Sequence, residues 1–305
     1  MPKVSVIIIL VLIGINLNAQ DQINKTNFLT TDDGTKLFVK KSGSGPLCIF
    51  IHGGPGAWSK SFEDLKGNNL EHNLTMVYYD QRGCGRSENS VNGNYSLDRM
   101  IEDIDLIRRH YQSKKVYLLS HSFGGILALN YALRFPNHVK GLILANSTLS
   151  VSNSLKNQID YINRLIGTSF FPSDSSYSAI ISAFQNARKA LSENGMSYKM
   201  LSDNKKNVDL VNKIDRENPS SYDFAQKAFQ IDDYLKDYTE ISNQIESPVL
   251  IIVGKKDHSI GENHHVRFNF KNKKVEKIDG GHLLYYENNE EFSNTIFAFI
   301  KETNN

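Results

Sequence analysis

A chain of 305 residues can bury a full hydrophobic core and form one large domain, or one domain with an insertion. Its 40% hydrophobic and 22% charged residues are ordinary globular values, and a formal net charge of +2 gives no electrostatic case for nucleic acid or another strongly charged partner. The two cysteines, Cys48 and Cys84, have no partners at metal-ligand spacing, so they are expected as free thiols, with no metal and no cofactor.

In chain order, the N-terminus stands apart. Met1-Pro-Lys3 is a short positive start, and Val4 to Ile15 is an apolar run interrupted only by Ser5 and Gly14. Ala19 then supplies a small residue for cleavage. The run is well short of the roughly 20 residues a membrane-spanning helix needs. Residues 1–19 therefore read as a secretory signal peptide, which predicts a periplasmic or secreted protein without lasting membrane insertion. An uncleaved membrane anchor is the alternative.

Residues 27–31 and 36–41 flank Asp32-Asp33-Gly34-Thr35, a hairpin pattern. Leu47–Ile51 is wholly apolar, as a strand buried on both faces should be, and ends in His52-Gly-Gly-Pro-Gly56. Leu74–Tyr79 is the next strand and runs into Asp80-Gln-Arg-Gly-Cys-Gly-Arg-Ser87, read as a compact structural turn. A helix starts at Ser96, with Met100, Ile101, Ile104 and Ile107 at helical spacing. Val116–Leu119 and Val139–Asn146 are further strands. From 149 to 246 the strand pattern stops. Helical stretches such as Ser178–Leu191 and Ser221–Tyr238, rich in Tyr and Phe, read as a cap inserted in the core of residues 20–148 and 247–305. Strands resume at Pro248–Gly254 and Val275–Ile278, and Phe292–Ile300 is a closing helix. This alternation predicts a mostly parallel, doubly wound α/β sheet, whose ligand site lies at the carboxyl ends of the strands.

Three residues at such strand ends carry the chemistry. Ser122, in Ser120-His-Ser-Phe-Gly124, sits where a strand turns sharply into a helix, which pushes its hydroxyl out above the sheet. Asp257 follows Val249–Gly254 by three residues, and His282 follows Ile278 by four. A free serine is a weak nucleophile and needs a base oriented by an acid, and these three supply that set. Gly54 and Phe123 N–H groups are the expected oxyanion donors, each worth about 3 kcal/mol of transition-state stabilisation. Asp279, on the same loop as His282, is a poorer acid. His121 is read as pointing away from the site for packing, and His258, His264 and His265 as loop histidines.

His52-Gly-Gly-Pro-Gly56, Asp80–Ser87, Ser120-His-Ser-Phe-Gly-Gly125 and Gly281-His282 together resemble the α/β-hydrolase family of proline iminopeptidases and their tricorn-interacting aminopeptidase relatives. The resemblance covers roughly residues 27–147 and 247–300. It implies an α/β-hydrolase fold with a helical cap, a Ser122–Asp257–His282 triad, and release of N-terminal residues, including proline, from short peptides. Family members commonly carry Trp where this chain has Phe123. Arg216-Glu217-Asn218 is similar to a cap stretch of the family and implies Glu217 as a substrate-binding carboxylate. Two other readings stay open. One is a carboxylesterase acting on small hydrophobic esters or lactones, since the cap is aromatic. The other is a binding protein that kept the fold and lost turnover. Epoxide hydrolase and dehalogenase chemistry needs Asp at the elbow, where this chain has Ser122.

Overall fold

The computed structural model describes residues 25–304, so the predicted signal peptide lies outside the described residues. Eight strands form one sheet in the order β1-β2-β4-β3-β5-β6-β7-β8. They are β1 (Lys25–Thr30), β2 (Lys36–Gly43), β3 (Leu47–Ile51), β4 (Thr75–Tyr79), β5 (Val116–Ser122), β6 (Val139–Ser147), β7 (Val249–Gly254) and β8 (Lys273–Ile278). The hairpin β1–β2 is antiparallel, as is the β2–β4 pair, and all other pairings are parallel. This is the expected α/β-hydrolase fold.

The central strands are apolar throughout because both faces are covered. Ile49, Ile51, Leu118, Leu142, Leu144 and Ile251 pack on one face against helices α2 (Leu97–His110) and α3 (Gly124–Arg134). Phe50, Leu119, Ile143 and Ile252 pack on the other with Phe62 of α1 (Ser59–Asp64) and Phe292, Ile296 and Phe299 of α9 (Asn289–Asn304). The α2 helix starts where expected, with the Ser96 side chain accepting from Arg99 N–H.

Between β6 and β7 lie α4 (Val151–Ile166), α5 (Tyr177–Glu193), α6 (Lys205–Glu217) and α7 (Asp223–Lys227). The sequence predicts a helical stretch over Ser221–Tyr238, and the structure divides it into short pieces. Only Asp223–Lys227 is α-helical, followed by two short 3-10 turns at 228–230 and 232–235. Aromatic anchoring overrides helical propensity there. Phe224 and Tyr234 are fully buried, and Tyr234 OH donates to Tyr95 O at 2.7 Å. The remaining helix, α8 (Leu284–Glu287), follows His282. No helix among the described residues is long and apolar enough to cross a membrane.

The loop after β4 is held by buried charge. Arg82 is fully buried and grips Asp103 of α2 with two hydrogen bonds of 2.7 and 2.8 Å, while Nη1 reaches Asp33 at 2.7 Å. Removing one partner of such a network leaves an uncompensated buried charge. Arg82→Leu is therefore expected to lose about 3–5 kcal/mol in urea unfolding at pH 7. The exposed Lys274→Ala should stay within about 0.5 kcal/mol of the parent.

Candidate active site

Ser122 ends β5 with φ of 55°, the left-handed region that a non-glycine residue enters only under constraint. The helix α3 begins immediately after it, and the fit is tight. A Cβ on Gly124 would stand 2.3 Å from Ile51 O, so only glycine fits at that turn. As the residue preceding α3, Phe123 has an N–H with no partner four residues back in the helix, and Phe123 lines the same cavity as Ser122.

The β3 end faces the same spot. Gly54 has φ of 121°, and a Cβ there would meet Gly56 N at 2.4 Å. His52 fixes this loop to the end of β4. Its Nδ1–H donates to Gly53 O at 2.9 Å, and its Nε2 accepts Gln81 N–H at 2.9 Å. Accepting that N–H requires the neutral ring, and burial lowers the pKa of His52 in the same direction.

His282 Nδ1 lies 3.1 and 3.2 Å from the two oxygens of Asp257. Asp257 Oδ1 also accepts Ser259 N–H at 2.9 Å and Ile260 N–H at 3.0 Å. Burial pushes the Asp257 carboxyl up, but His282 and these backbone donors outweigh it and hold the group below its usual range. The alternative acid, Asp279, is turned to solvent and pairs with Lys256 at 2.9 Å.

Ser122, Phe123, Gly54 and His282 line one cavity of about 310 Å³, with Asp257 behind His282. Its walls include Phe50, Trp58, Phe62, Val151, Leu155, Leu201, Val211, Phe229, Ile260 and Tyr285. Among the described residues, none lining it is Asp, Glu, Lys or Arg. Glu217 is not brought in. It sits at the exposed end of α6, 3.8 Å from Lys213, because the face of α6 turned to the cavity is that of Val211. The acidic residue of α6 nearest the wall is instead Asp215, which accepts Trp58 Nε1–H at 2.8 Å. Burial raises the pKa of Asp215 against that hydrogen bond.

His121 corrects the sequence reading. It lines the cavity, its ring centroid is 4.5 Å from that of His282, and its Nε2 is 2.9 Å from His282 O. Strand alternation stops at this point because Ser122, with φ of 55°, has left the extended backbone; the extra residue in the β5–β6 pairing is Asn146 on β6. Burial first, and the neighbouring His282 second, bring the pKa of His121 down to about 3.

Residues 46–289 match the family described as the alpha/beta hydrolase fold. The chain belongs to that family. Its curated relatives include proline iminopeptidases from Thermoplasma volcanium, 35% identical over 119 residues (38% of this chain and 39% of the relative), and from Saccharolobus solfataricus, 33% identical over 132 residues (43% and 42%). The chain thus spans about two fifths of the length of each relative it matches. Among solved structures, a proline iminopeptidase-related protein from Thermus thermophilus superposes with a TM-score of 0.71 at 20% identity, covering 90% of this chain and 95% of that one. A thermophilic esterase from Thermogutta terrifontis gives 0.68 at 18%, covering 92% and 99%. At these identities the structural neighbours share the fold.

The depressed Asp257 carboxyl has a consequence for stability. A group whose folded pKa is lowered stabilises the fold above its unfolded value, about 3.9, and loses that contribution as pH falls through the folded value. The stability gap between the parent and Asp257→Asn, measured by guanidinium unfolding, should be larger at pH 7 than at pH 3. An equal gap at both pH values would remove the ionised Asp257 from the account.

Proposed function

We propose that this α/β-hydrolase is a serine hydrolase acting through an acyl-enzyme, and that its substrates are neutral esters with a small apolar acyl group. His282 removes the proton of Ser122 as its Oγ attacks the carbonyl. Asp257 keeps the ring oriented and stabilises the imidazolium. The Gly54 and Phe123 N–H groups receive the oxyanion. His282 then returns the proton to the leaving alcohol, and water releases the acid by the same steps in reverse.

The single observation that carries the substrate class is the uncharged, aromatic and aliphatic wall around Ser122. An ammonium brought against it would lose its hydration with no carboxylate in the lining, a cost of several kcal/mol. An apolar acyl chain gains about 0.8 kcal/mol per buried methylene instead.

A second reading, release of N-terminal residues including proline from short peptides, is favoured by the proline iminopeptidases among the sequence relatives. In that reading Asp215, behind Trp58, is the carboxylate available to an amine.

Parallel assays of p-nitrophenyl esters from acetate to hexanoate and of proline p-nitroanilide separate the two. The ester reading predicts kcat/KM rising roughly 3–4-fold per methylene until the cavity is full. It also predicts no effect of Asp215→Asn on esters. Turnover of the anilide alone, with KM raised by Asp215→Asn, would replace it with the peptidase reading. Ser122→Ala should abolish turnover of either substrate while leaving the fold intact.

A further inference from the structure

The carboxyl end of β6 touches the carriers of all three proposed catalytic residues. Thr148 N–H donates to Ser122 O at 2.9 Å, and Ser147 Oγ donates to Ser120 O at 3.0 Å, so this end braces the elbow. Asn146, just before them, reaches the other two. Its Oδ1 accepts Gly254 N–H at 2.7 Å, at the root of the loop that carries Asp257. Its Nδ2 donates to Gly281 O at 2.8 Å and to His282 O at 3.3 Å. A primary amide offers one acceptor and two donor hydrogens, and Asn146 uses both sides. The residue is fully buried and holds φ of 43°, a left-handed conformation that asparagine tolerates better than most.

We propose that Asn146 is a positioning residue for the hydrolytic reaction. Its amide sets the spacing between the Asp257 loop and the main chain of His282, and so aims the imidazole at Ser122. The inference rests on the Ser122–His282–Asp257 reading above. His121 donates to the same His282 carbonyl from the elbow side, so the base is held from two directions. Aspartate would keep the acceptor for Gly254 N–H but, once ionised, would set an oxygen against two carbonyls. Leucine would fill similar volume and satisfy none of the three partners.

The test counts competent sites and then measures turnover per site. Full-length parent, Asn146→Gly and Asn146→Asp are titrated with a fluorophosphonate probe and assayed on a p-nitrophenyl ester from pH 5 to 9. Glycine accepts the left-handed φ, so Asn146→Gly removes the amide without backbone strain. The expected result is a loss of about 10- to 100-fold in kcat per titrated site in Asn146→Gly, with KM within about threefold. In Asn146→Asp the loss should deepen as pH rises and the introduced carboxyl ionises, since neutral it can donate to one carbonyl and charged it repels both. A purely structural role would lower the number of titrated sites and leave kcat per site and its pH profile unchanged. That result, or failure of both variants to fold, overturns the proposal. A parent that takes up no probe would overturn the serine-hydrolase reading itself, whereas a labelled parent with an unaffected Asn146→Gly overturns this proposal alone.

Discussion

The turn from β5 into α3 is the constraint on which the rest of the site depends. Ser122 holds a left-handed φ, and Gly124 lies so close to the β3 carbonyl of Ile51 that one added carbon would collide with it. Such a conformation persists only when its surroundings over-determine it. Here they do so from both sides of the sheet. The β3 loop is fixed to β4 through His52 and Gln81, and the β6 end bonds to the main chain of Ser122 and Ser120. The hydroxyl is thereby presented to the cavity by rigid strands instead of by a mobile loop.

Buried charge supports this frame at a distance. Asp80 is fully buried and accepts from Ser59 N–H and Oγ, and from Arg86 N–H and Nε–H. This ties α1, which supplies cavity walls, to the glycine turn after β4. The same turn pairs Gly85 with Ser221 of the cap segment through two backbone hydrogen bonds. On the opposite side, Glu287 accepts Gly281 N–H and the side chains of Ser202 and Asn207. The segment that supplies Leu201 to the cavity is thus bonded directly to the loop that carries His282. The cavity wall at Leu201 and the proposed base His282 share one hydrogen-bonded connection.

The fold was legible because buried parallel strands read as unbroken apolar runs, and those at Leu47–Ile51, Val116–Leu119 and Val249–Gly254 carry that pattern. The placement of Ser122, Asp257 and His282 followed from strand ends. What the sequence concealed depends on tertiary contact. His121 lines the cavity beside His282, where β5 gives up extended geometry at Ser122, and periodicity does not report where alternation stops. Glu217 and Asp215 are two positions apart on α6 and so on opposite faces, and only the packing of the helix decides that Asp215 meets Trp58 while Glu217 is exposed. Asn146 looked like the last residue of an apolar strand, and its role is visible only when three strand ends meet. The aromatic stretch after Ser221 breaks into short turns because its rings are spent on anchoring to the core.

The central claim is that Ser122 is a nucleophile activated by His282. Labelling the full chain with a fluorophosphonate and mapping the adduct by peptide mass spectrometry tests it most directly. The predicted result is one adduct per chain on Ser122, with labelling slowed by about 10³-fold or more in His282→Ala. An adduct on another residue, or equal labelling of the parent and His282→Ala, would contradict it.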